Sequence, residues 1–562
     1  MADEQARALS NVRCTATDGR LQNIYWRLDQ LRSLHTTLVS HEASVLEAIT
    51  NDSHNTLAEA KIELYLALAA VKQHFLSLHP DQELEREYRV AHGKDAADRR
   101  DPVGIVYIEP ATTHTPFYSV VVPLAAAIAA GNCVVVQLST TLQALPAVLR
   151  QTLTAALDPD VYALVAARPD AAFLAAPNVL SLLQNGAGEG APPSALVSRP
   201  AALSVAIVER SADLAAAAKA LVTARFAFNG RSPYAPDVVL VNEFAKEAFL
   251  NAAVQESIRY MAEGNGVAAN GKAGGKAGRG GGVVEELKGE AGVRVVTAGS
   301  NGAILEVEKR DSAALGRKIS ERGLVVHAIT SIDDGIDLAN RIAGSPLATY
   351  LFADPASCKY MSQFTPSHLS FTNHFPLDLL VGPTAPSTHP LDPSSRFPPA
   401  LFTLPRPQYA NPTPLAARLS AALREGGKAD VLRALKDGAA APLPPNRPYT
   451  KGVGFFEQGI LLGLGMAGVP LLGGLGVLTW WASRSAWAYW RGWLAEEAAK
   501  YLFATVSVQL QKKSMERLIE FSMDKPLASH VNTLLFTGPS TLAELNFEDW
   551  KNGDVHLAGE PL

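Results

Sequence analysis

The spacing of hydrophobic residues changes near residue 100 and divides the chain into two patterns. From residue 21 to residue 87, leucines such as Leu31, Leu34 and Leu38 recur at helical spacing, which predicts a run of helices. From Val103 onward, short β-branched runs alternate with alanine-rich stretches. The runs expected to form buried strands are residues 105–108, 134–136, 203–208, 238–241, 293–296, 304–307 and 324–329. Alternation of this kind predicts two parallel α/β units.

A second hydrophobic pattern occupies residues 459–482, which carry no charged side chain. The run is about as long as the roughly 20 residues that cross a hydrocarbon core, and six aromatic residues cluster at one end of it. These are Trp480, Trp481, Trp487, Tyr489, Trp490 and Trp493. We expect a membrane segment here, either as a span kinked at Pro470 or as a re-entrant hairpin. Basic residues lie on both sides of the run, so its orientation stays open.

Composition excludes several classes of function. The chain has 562 residues, enough for two or three domains, and a net charge of −5 with a pI near 6.3. This balance gives no electrostatic reason to expect nucleic-acid binding. The three cysteines, Cys14, Cys133 and Cys358, lack metal-ligand spacing and suit a reducing compartment. The N-terminus has no basic region followed by an apolar one, so we expect no cleaved signal peptide.

The remaining segments complete a predicted domain plan. Residues 264–282 are glycine-rich without the context of a phosphate loop, and we expect a flexible surface insertion. Proline-rich residues near 385–414 and 441–448 predict extended connectors. The plan is a helical part over residues 1–100, α/β domains over 101–222 and 223–386, a connector over 387–450, a membrane segment over 459–482 and an extension over 483–562.

Several motifs of the α/β part occur in the order of one enzyme family. Residues 102–108 read Pro-Val-Gly-Ile-Val-Tyr-Ile, residues 127–132 read Ala-Ile-Ala-Ala-Gly-Asn, and residues 235–237 read Ala-Pro-Asp. In this order they resemble the aldehyde dehydrogenase superfamily, over roughly residues 21–386. The hydrophobic run near the C-terminus is similar to that of the membrane-anchored fatty-aldehyde branch. The resemblance implies an α/β fold with two Rossmann-like domains, a membrane segment and a homodimer.

The positions that carry the family's chemistry hold other residues in this chain. Aligned on residues 235–237, the catalytic thiol falls on Pro233, which has no nucleophilic side chain. The family's general base falls on Arg199 and its oxyanion asparagine on His114. The positions that hold the dinucleotide fall on Gln137, Thr140, Ser320 and Arg322. Because these losses lie in separate segments, we predict that dehydrogenase activity is lost and that neither cofactor nor metal is bound.

Three functions from different classes remain open. The favoured one is a non-redox catalyst that promotes cyclisation, isomerisation or Diels–Alder-type cycloaddition of a lipophilic aldehyde or enal in natural-product biosynthesis. A retained scaffold without redox groups resembles tailoring proteins of fungal secondary-metabolite clusters. The alternatives are a membrane-bound pseudoenzyme scaffold and an active NAD(P)-dependent fatty-aldehyde dehydrogenase.

The candidate site residues follow from the same alignment. The side chains expected to line the former aldehyde pocket as hydrogen-bond donors are His114, Arg199, Arg231, Ser232 and Tyr234. His374 falls where the family's loop closes the substrate funnel. The expected partners are a lipophilic small molecule and a membrane, with no nucleic acid. The expected location is an endomembrane such as the endoplasmic reticulum, with the main domain in the cytosol.

Overall fold

The computed structural model of the chain describes residues 2–188, 190–262, 282–387, 389, 391–424, 429–445 and 455–516. The chain forms two compact units, Met1–Pro445 and Asn446–Leu562. The predicted glycine-rich insertion at residues 264–282 lies outside the described residues, apart from Gly282.

Five helices form the N-terminal part of the first unit. They are α1 Ala2–Asp18, α2 Ile24–Ser40, α3 Glu42–Ser53, α4 Leu57–Leu76 and α5 Pro80–Tyr88. Leu31, Leu34 and Leu38 of α2 are fully buried, as their spacing predicts. A capping box starts α4, because the Thr56 side chain accepts the Glu59 amide and the Glu59 carboxylate accepts the Thr56 amide.

The smaller sheet is wholly parallel and has the strand order β4-β3-β2-β5-β6. Its strands are β2 Ile105–Glu109, β3 Cys133–Gln137, β4 Tyr162–Val165, β5 Val179–Leu183 and β6 Leu196–Val197. The helices between them are α6 Pro116–Ala129, α7 Ala144–Ala156 and the single turn α8 Ala171–Leu174. Strands covered by helices on both faces read as continuous apolar runs, which is why the sequence predicted β2 and β3. The strands β4, β5 and β6 were not among the predicted runs.

The larger sheet has seven strands in the order β13-β12-β7-β8-β11-β10-β9, and only the β9–β10 pair is antiparallel. Its strands are β7 Ser204–Val208, β8 Val238–Asn242, β9 Val293–Gly299, β10 Gly302–Val307, β11 Gly323–Ile329, β12 Ala348–Phe352 and β13 Leu369–Thr372. The helices are α9 Leu214–Phe226, α10 Lys246–Ala262, α11 Val283–Lys288, α12 Ile332–Ala343 and α13 Pro355–Phe364.

The segment expected to be an extended connector contains regular structure. Its strand β14 Thr403–Pro405 pairs antiparallel with β1 Arg100–Pro102. Phe397 and Phe402 are fully buried in the first unit, because this proline-rich stretch also carries large apolar side chains. Two helices follow, α14 Pro414–Arg424 and α15 Ala429–Ala440.

The second unit contains one long helix, α16 Phe455–Glu516. Pro470 lies inside it, so the described residues form one continuous helix and not a hairpin. Within it, the stretch Glu457–Ser507 contains an 18-residue segment with a mean hydropathy of 2.0, and it is long enough to cross a membrane. This capacity rests on length and composition, and it suggests membrane association weakly.

Candidate functional site

A cavity of about 430 Å³ opens beside the carboxyl ends of β2 and β3. Its walls come from the end of α3, from residues 110–116 between β2 and α6, from residues 137–139 after β3, and from the first turns of α7. Phe228, Arg231 and Ser320 close the remaining side. The carboxyl edge of a parallel sheet is where open α/β folds bind ligands, so this cavity is the candidate site.

The walls of the cavity include strained backbone. Thr115 and Phe228 both line it, and their φ angles of 41° and 49° place non-glycine residues in the left-handed region. Each conformation costs on the order of 1–3 kcal/mol and persists only where surrounding bonds hold it. The Phe228 amide donates to the Glu59 carboxylate at 2.6 Å, and the Thr115 hydroxyl accepts the Gly382 amide at 2.9 Å. Strain of this kind clusters at functional sites.

The helix N-termini at the cavity are occupied by carboxylates of the chain itself. The first amides of α7, Ala144 and Leu145, donate to the Asp52 carboxylate at 3.0 and 2.7 Å. The Phe117 and Tyr118 amides at the start of α6 donate to Glu63 Oε1 at 3.1 and 3.3 Å. Free amides at a helix N-terminus attract phosphate groups, and here an anion already satisfies them.

The connection from β5 to β6 is built from turns wherever its residues are described. Gln184, at the start of this connection, is buried. Gln184 Oε1 accepts the Ala111 amide at 3.1 Å, and its Nε2 donates to the Ser119 carbonyl at 2.9 Å. The start of the β5–β6 connection therefore fixes the loop between β2 and α6.

Glu63 is a buried carboxyl group whose charge state depends on pH. It is fully buried, its Oε2 has no hydrogen-bond partner within the described part of the chain, and no cation pairs with it there. Burial raises its pKa to about 7, although the two helix amides act in the opposite direction. Sequence periodicity identified α4 as a core helix but gave no signal that Glu63 caps α6.

Replacing Glu63 with glutamine is expected to raise the free energy of unfolding at pH 8 by roughly 1–3 kcal/mol. Because the folded pKa lies above the ordinary value of 4.5, stability is lost as pH rises through about 7. Glutamine keeps an acceptor for both amides and removes this loss. Urea unfolding at pH 5.5 and pH 8 measures the effect, with the exposed Glu47→Gln on α3 as the control. An unchanged pH dependence in the Glu63 variant would contradict the assignment.

His114 lines the cavity as predicted, but it is not a cationic donor. It is 5% exposed, its Nε2 lies 2.7 Å from the Leu380 carbonyl, and its ring packs edge-on against Phe228. Burial lowers its pKa to about 4, and the nearby Arg396 and Arg231 lower it further against the effect of the hydrogen bond. His114 is therefore neutral near pH 7, and its N–H holds the loop in place.

Arg231 lies at the cavity, as predicted. Its side chain lines the cavity and is exposed, with Nη1 donating to the Ser53 carbonyl at 3.3 Å. Across the residues described, no carboxylate forms an ion pair with it. Its guanidinium group keeps donors available to a ligand.

Three other predicted residues do not line this cavity. Ser232 is 1% exposed and its hydroxyl lacks a partner within the described ranges. Tyr234 is fully buried, and its hydroxyl accepts the Ala385 amide at 3.0 Å. Arg199 lines a separate cavity of about 120 Å³ beside His368. The prediction fails for Ser232 and Tyr234 because the left-handed residues Phe228 and Asn229 turn the chain inward after α9.

The position of the family's thiol is closed by packing and buried charges. The Pro233 carbonyl accepts Lys318 Nζ at 2.7 Å, and the same amine donates to Asp237 at 2.9 Å. Arg225 is fully buried and pairs with Asp237 at 3.4 Å. Arg396, also buried, lies over the Tyr234 ring at 5.1 Å. Sequence reasoning missed Arg396, because it lies in the segment predicted as a connector.

The other candidate chemical groups lie outside the cavity. The structure describes all three cysteines, and Cys14 is exposed on α1 while Cys133 and Cys358 are buried away from the cavity. Burial raises the pKa of Cys133 to about 12, which leaves it a thiol. His374 is exposed and contacts the Thr372 carbonyl. No cluster of three or more histidine, cysteine or acidic residues fit for a metal occurs in the described ranges.

Of the four former dinucleotide positions, two line the cavity. Gln137 and Ser320 do so, whereas Thr140 is exposed beside it and Arg322 donates to the Phe226 carbonyl at 2.9 Å. Tyr107 donates its hydroxyl to Gln137 Oε1 at 2.5 Å. The amide nitrogen of Gln137 therefore remains as a donor at the cavity wall.

Known proteins with similar sequences belong to one family. The aldehyde dehydrogenase family model matches residues 3–179. An aldehyde dehydrogenase of Craterostigma plantagineum is 25% identical over 251 residues, 42% of this chain and 52% of that protein. Aldehyde dehydrogenase family 3 member B1 of Rattus norvegicus is 30% identical over 166 residues, 29% of this chain and 35% of that protein. The matched parts span about half or less of these relatives.

Solved structures extend the likeness over more of the chain. Staphylococcus aureus AldH in its substrate-bound state has a TM-score of 0.57 at 19% identity, over 72% of this chain and 93% of that chain. HpcC of Thermus thermophilus has a TM-score of 0.57 at 18% identity, over 73% of this chain and 86% of that chain. At this identity the likeness shows the fold, and it confirms the predicted α/β architecture with two Rossmann-like sheets.

Proposed function

We propose that this chain belongs to the aldehyde dehydrogenase superfamily and is a redox-inactive protein that converts a lipophilic carbonyl compound without a dinucleotide. The observation that carries the proposal is a ligand-sized cavity whose two helix N-termini are already capped by Asp52 and Glu63. The membrane-anchored branch and a role in natural-product biosynthesis belong to the same proposal.

The residues present do not fit a dinucleotide. Unpaired amides at a helix N-terminus form a common pyrophosphate site, and those of α6 and α7 bond to carboxylates instead. Asp52 itself lines the cavity and would repel a phosphate group placed there. Gln137 supplies an amide where the family has a lysine. No step of the proposed reaction therefore passes through NAD or NADP.

The cavity suits a ligand with one polar end. Ile49, Leu145 and Leu149 give an apolar wall, while Arg231 and the Gln137 amide offer hydrogen-bond donors. A carbonyl oxygen accepting from Arg231 would draw electron density from a conjugated alkene. Holding the reactive ends together can supply several kcal/mol of barrier reduction. Both effects favour cyclisation, isomerisation or cycloaddition of an aldehyde or enal.

His114 is assigned a positioning role in this proposal. Its neutral ring bonds to the Leu380 carbonyl, and its loop continues into the strained Thr115 and α6. A fixed loop preserves the shape of the cavity, and a cavity of fixed shape is required to orient a flexible ligand. Arg231 is then the donor to the carbonyl, and Arg199, Ser232 and Tyr234 take no part.

The second unit supports membrane association. A lipophilic ligand partitions into bilayers, and α16 offers one apolar helix of sufficient length. We place the protein at an endomembrane with the first unit in the cytosol, and as a homodimer in keeping with the superfamily. A scaffold without catalysis is the second candidate, since α16 would serve it equally and only the retained cavity argues against it.

Comparing metabolites of producing cells with and without the gene tests the function. Cyclisation, isomerisation and intramolecular cycloaddition conserve molecular mass, so we expect one product to be replaced by an isomer of equal mass. If the chain oxidised an aldehyde instead, cells without the gene would lose a carboxylic acid and accumulate the aldehyde, which is lighter by one oxygen. That result would support the dehydrogenase. Unchanged metabolites would reject catalysis and leave the scaffold.

A further inference from the structure

Four residues of α16 form an ordered series on one face of the helix. Trp480, Arg484, Trp487 and Arg491 follow one another at intervals of four, three and four residues. Residues at these intervals lie above one another on a helix surface. We name this series the Trp–Arg ladder.

Each arginine of the ladder lies over the tryptophan that precedes it. Arg484 Cζ is 5.2 Å from the centroid of the Trp480 ring, and Arg491 Cζ is 4.7 Å from that of Trp487. Both distances fall within the range of cation–π attraction. The two guanidinium groups are thus held along the same helix face, with their N–H edges free for a planar acceptor.

The two arginines of the ladder carry positive charges, and the ladder contains no carboxylate that balances them. Neither arginine forms an ion pair within the ranges that the structure describes. Glu497, further along α16, bonds to Lys500 at 3.5 Å. The run that precedes the ladder, residues 458–483, has no charged side chain. An external anion is therefore the natural counter-charge.

We propose that the Trp–Arg ladder binds the phosphate groups of anionic phospholipids at a membrane surface. The ladder begins in the last turn of the uncharged run, so it reaches headgroup level when that run lies in hydrocarbon. Indole rings favour that level, and guanidinium groups bind phosphate through paired hydrogen bonds. The inference rests on the proposed membrane association and adds a preference for negatively charged lipid.

Vesicle flotation of the purified full chain tests the ladder. The vesicles contain phosphatidylcholine alone or with about a third phosphatidylserine, at low ionic strength. We expect the anionic vesicles to recover the protein on the order of tenfold more efficiently. The double variant Arg484→Gln/Arg491→Gln should lose this preference. The charge-matched control is Arg418→Gln/Arg433→Gln, two exposed residues of α14 and α15, which should keep it.

Each of the other possible outcomes contradicts the proposal in a different way. Binding to both vesicle types without preference would overturn the ladder while leaving membrane association intact. Failure to bind either type of vesicle would contradict both the ladder and membrane association. A preference that survives in Arg484→Gln/Arg491→Gln would assign it to other basic residues. Loss of the preference in inorganic phosphate, but not in chloride of equal ionic strength, would assign the ladder to free phosphate instead of lipid.

Discussion

Replacing Arg231 with glutamine is expected to slow formation of the product about a hundredfold, because a preorganised donor to a carbonyl oxygen is lost. Arg231 has no carboxylate partner among the residues described, so its removal leaves no buried charge unpaired. Its bond to the Ser53 carbonyl lies at an exposed position and contributes little to stability. The variant should therefore fold normally and lose mainly rate.

Product accumulation in cells that carry only the variant gene measures this effect. The control is Arg418→Gln on α14, an exposed residue outside the cavity, which should leave accumulation unchanged. Arg231→Lys retains the charge without the planar donor pair and should recover part of the rate. Wild-type accumulation in Arg231→Gln would show that the guanidinium has no role, and only templating by cavity shape or scaffolding would remain.

Several strands were predictable because parallel sheets demand continuous apolar runs, but β4, β5, β6, β12 and β13 were missed. Residues 293–296 were expected to be buried, whereas no residue of β9 is buried. Residues 134–136 and 238–241 lie within β3 and β8, where both faces are covered. The prediction that Pro233 replaces the family's thiol could be made from the sequence, because Pro233 stands in an ordered motif. The capping of α6 and α7 was not predictable, since Glu63 and Asp52 lie far from their partners in sequence and helical periodicity does not report such pairings.

The site residues show a different limit of sequence reasoning. Arg231, Ser232 and Tyr234 are close neighbours in sequence, yet the chain reverses through left-handed residues before them, so only Arg231 faces the cavity. The burial of His114 was not predictable either. Its ring nitrogen contacts the Leu380 carbonyl, which lies 266 residues further along the chain, and local patterns do not report such a contact.

Calorimetric titration of the purified protein with NAD and NADP tests the central claim most directly. Asp52 and Glu63 already occupy the amides at the two helix N-termini of the cavity, so these residues do not suit either dinucleotide. A related protein known to bind NADP serves as the positive control in the same buffer. We predict no saturable heat with either cofactor up to millimolar concentration. Saturable binding at micromolar concentration would contradict the assignment of a redox-inactive protein.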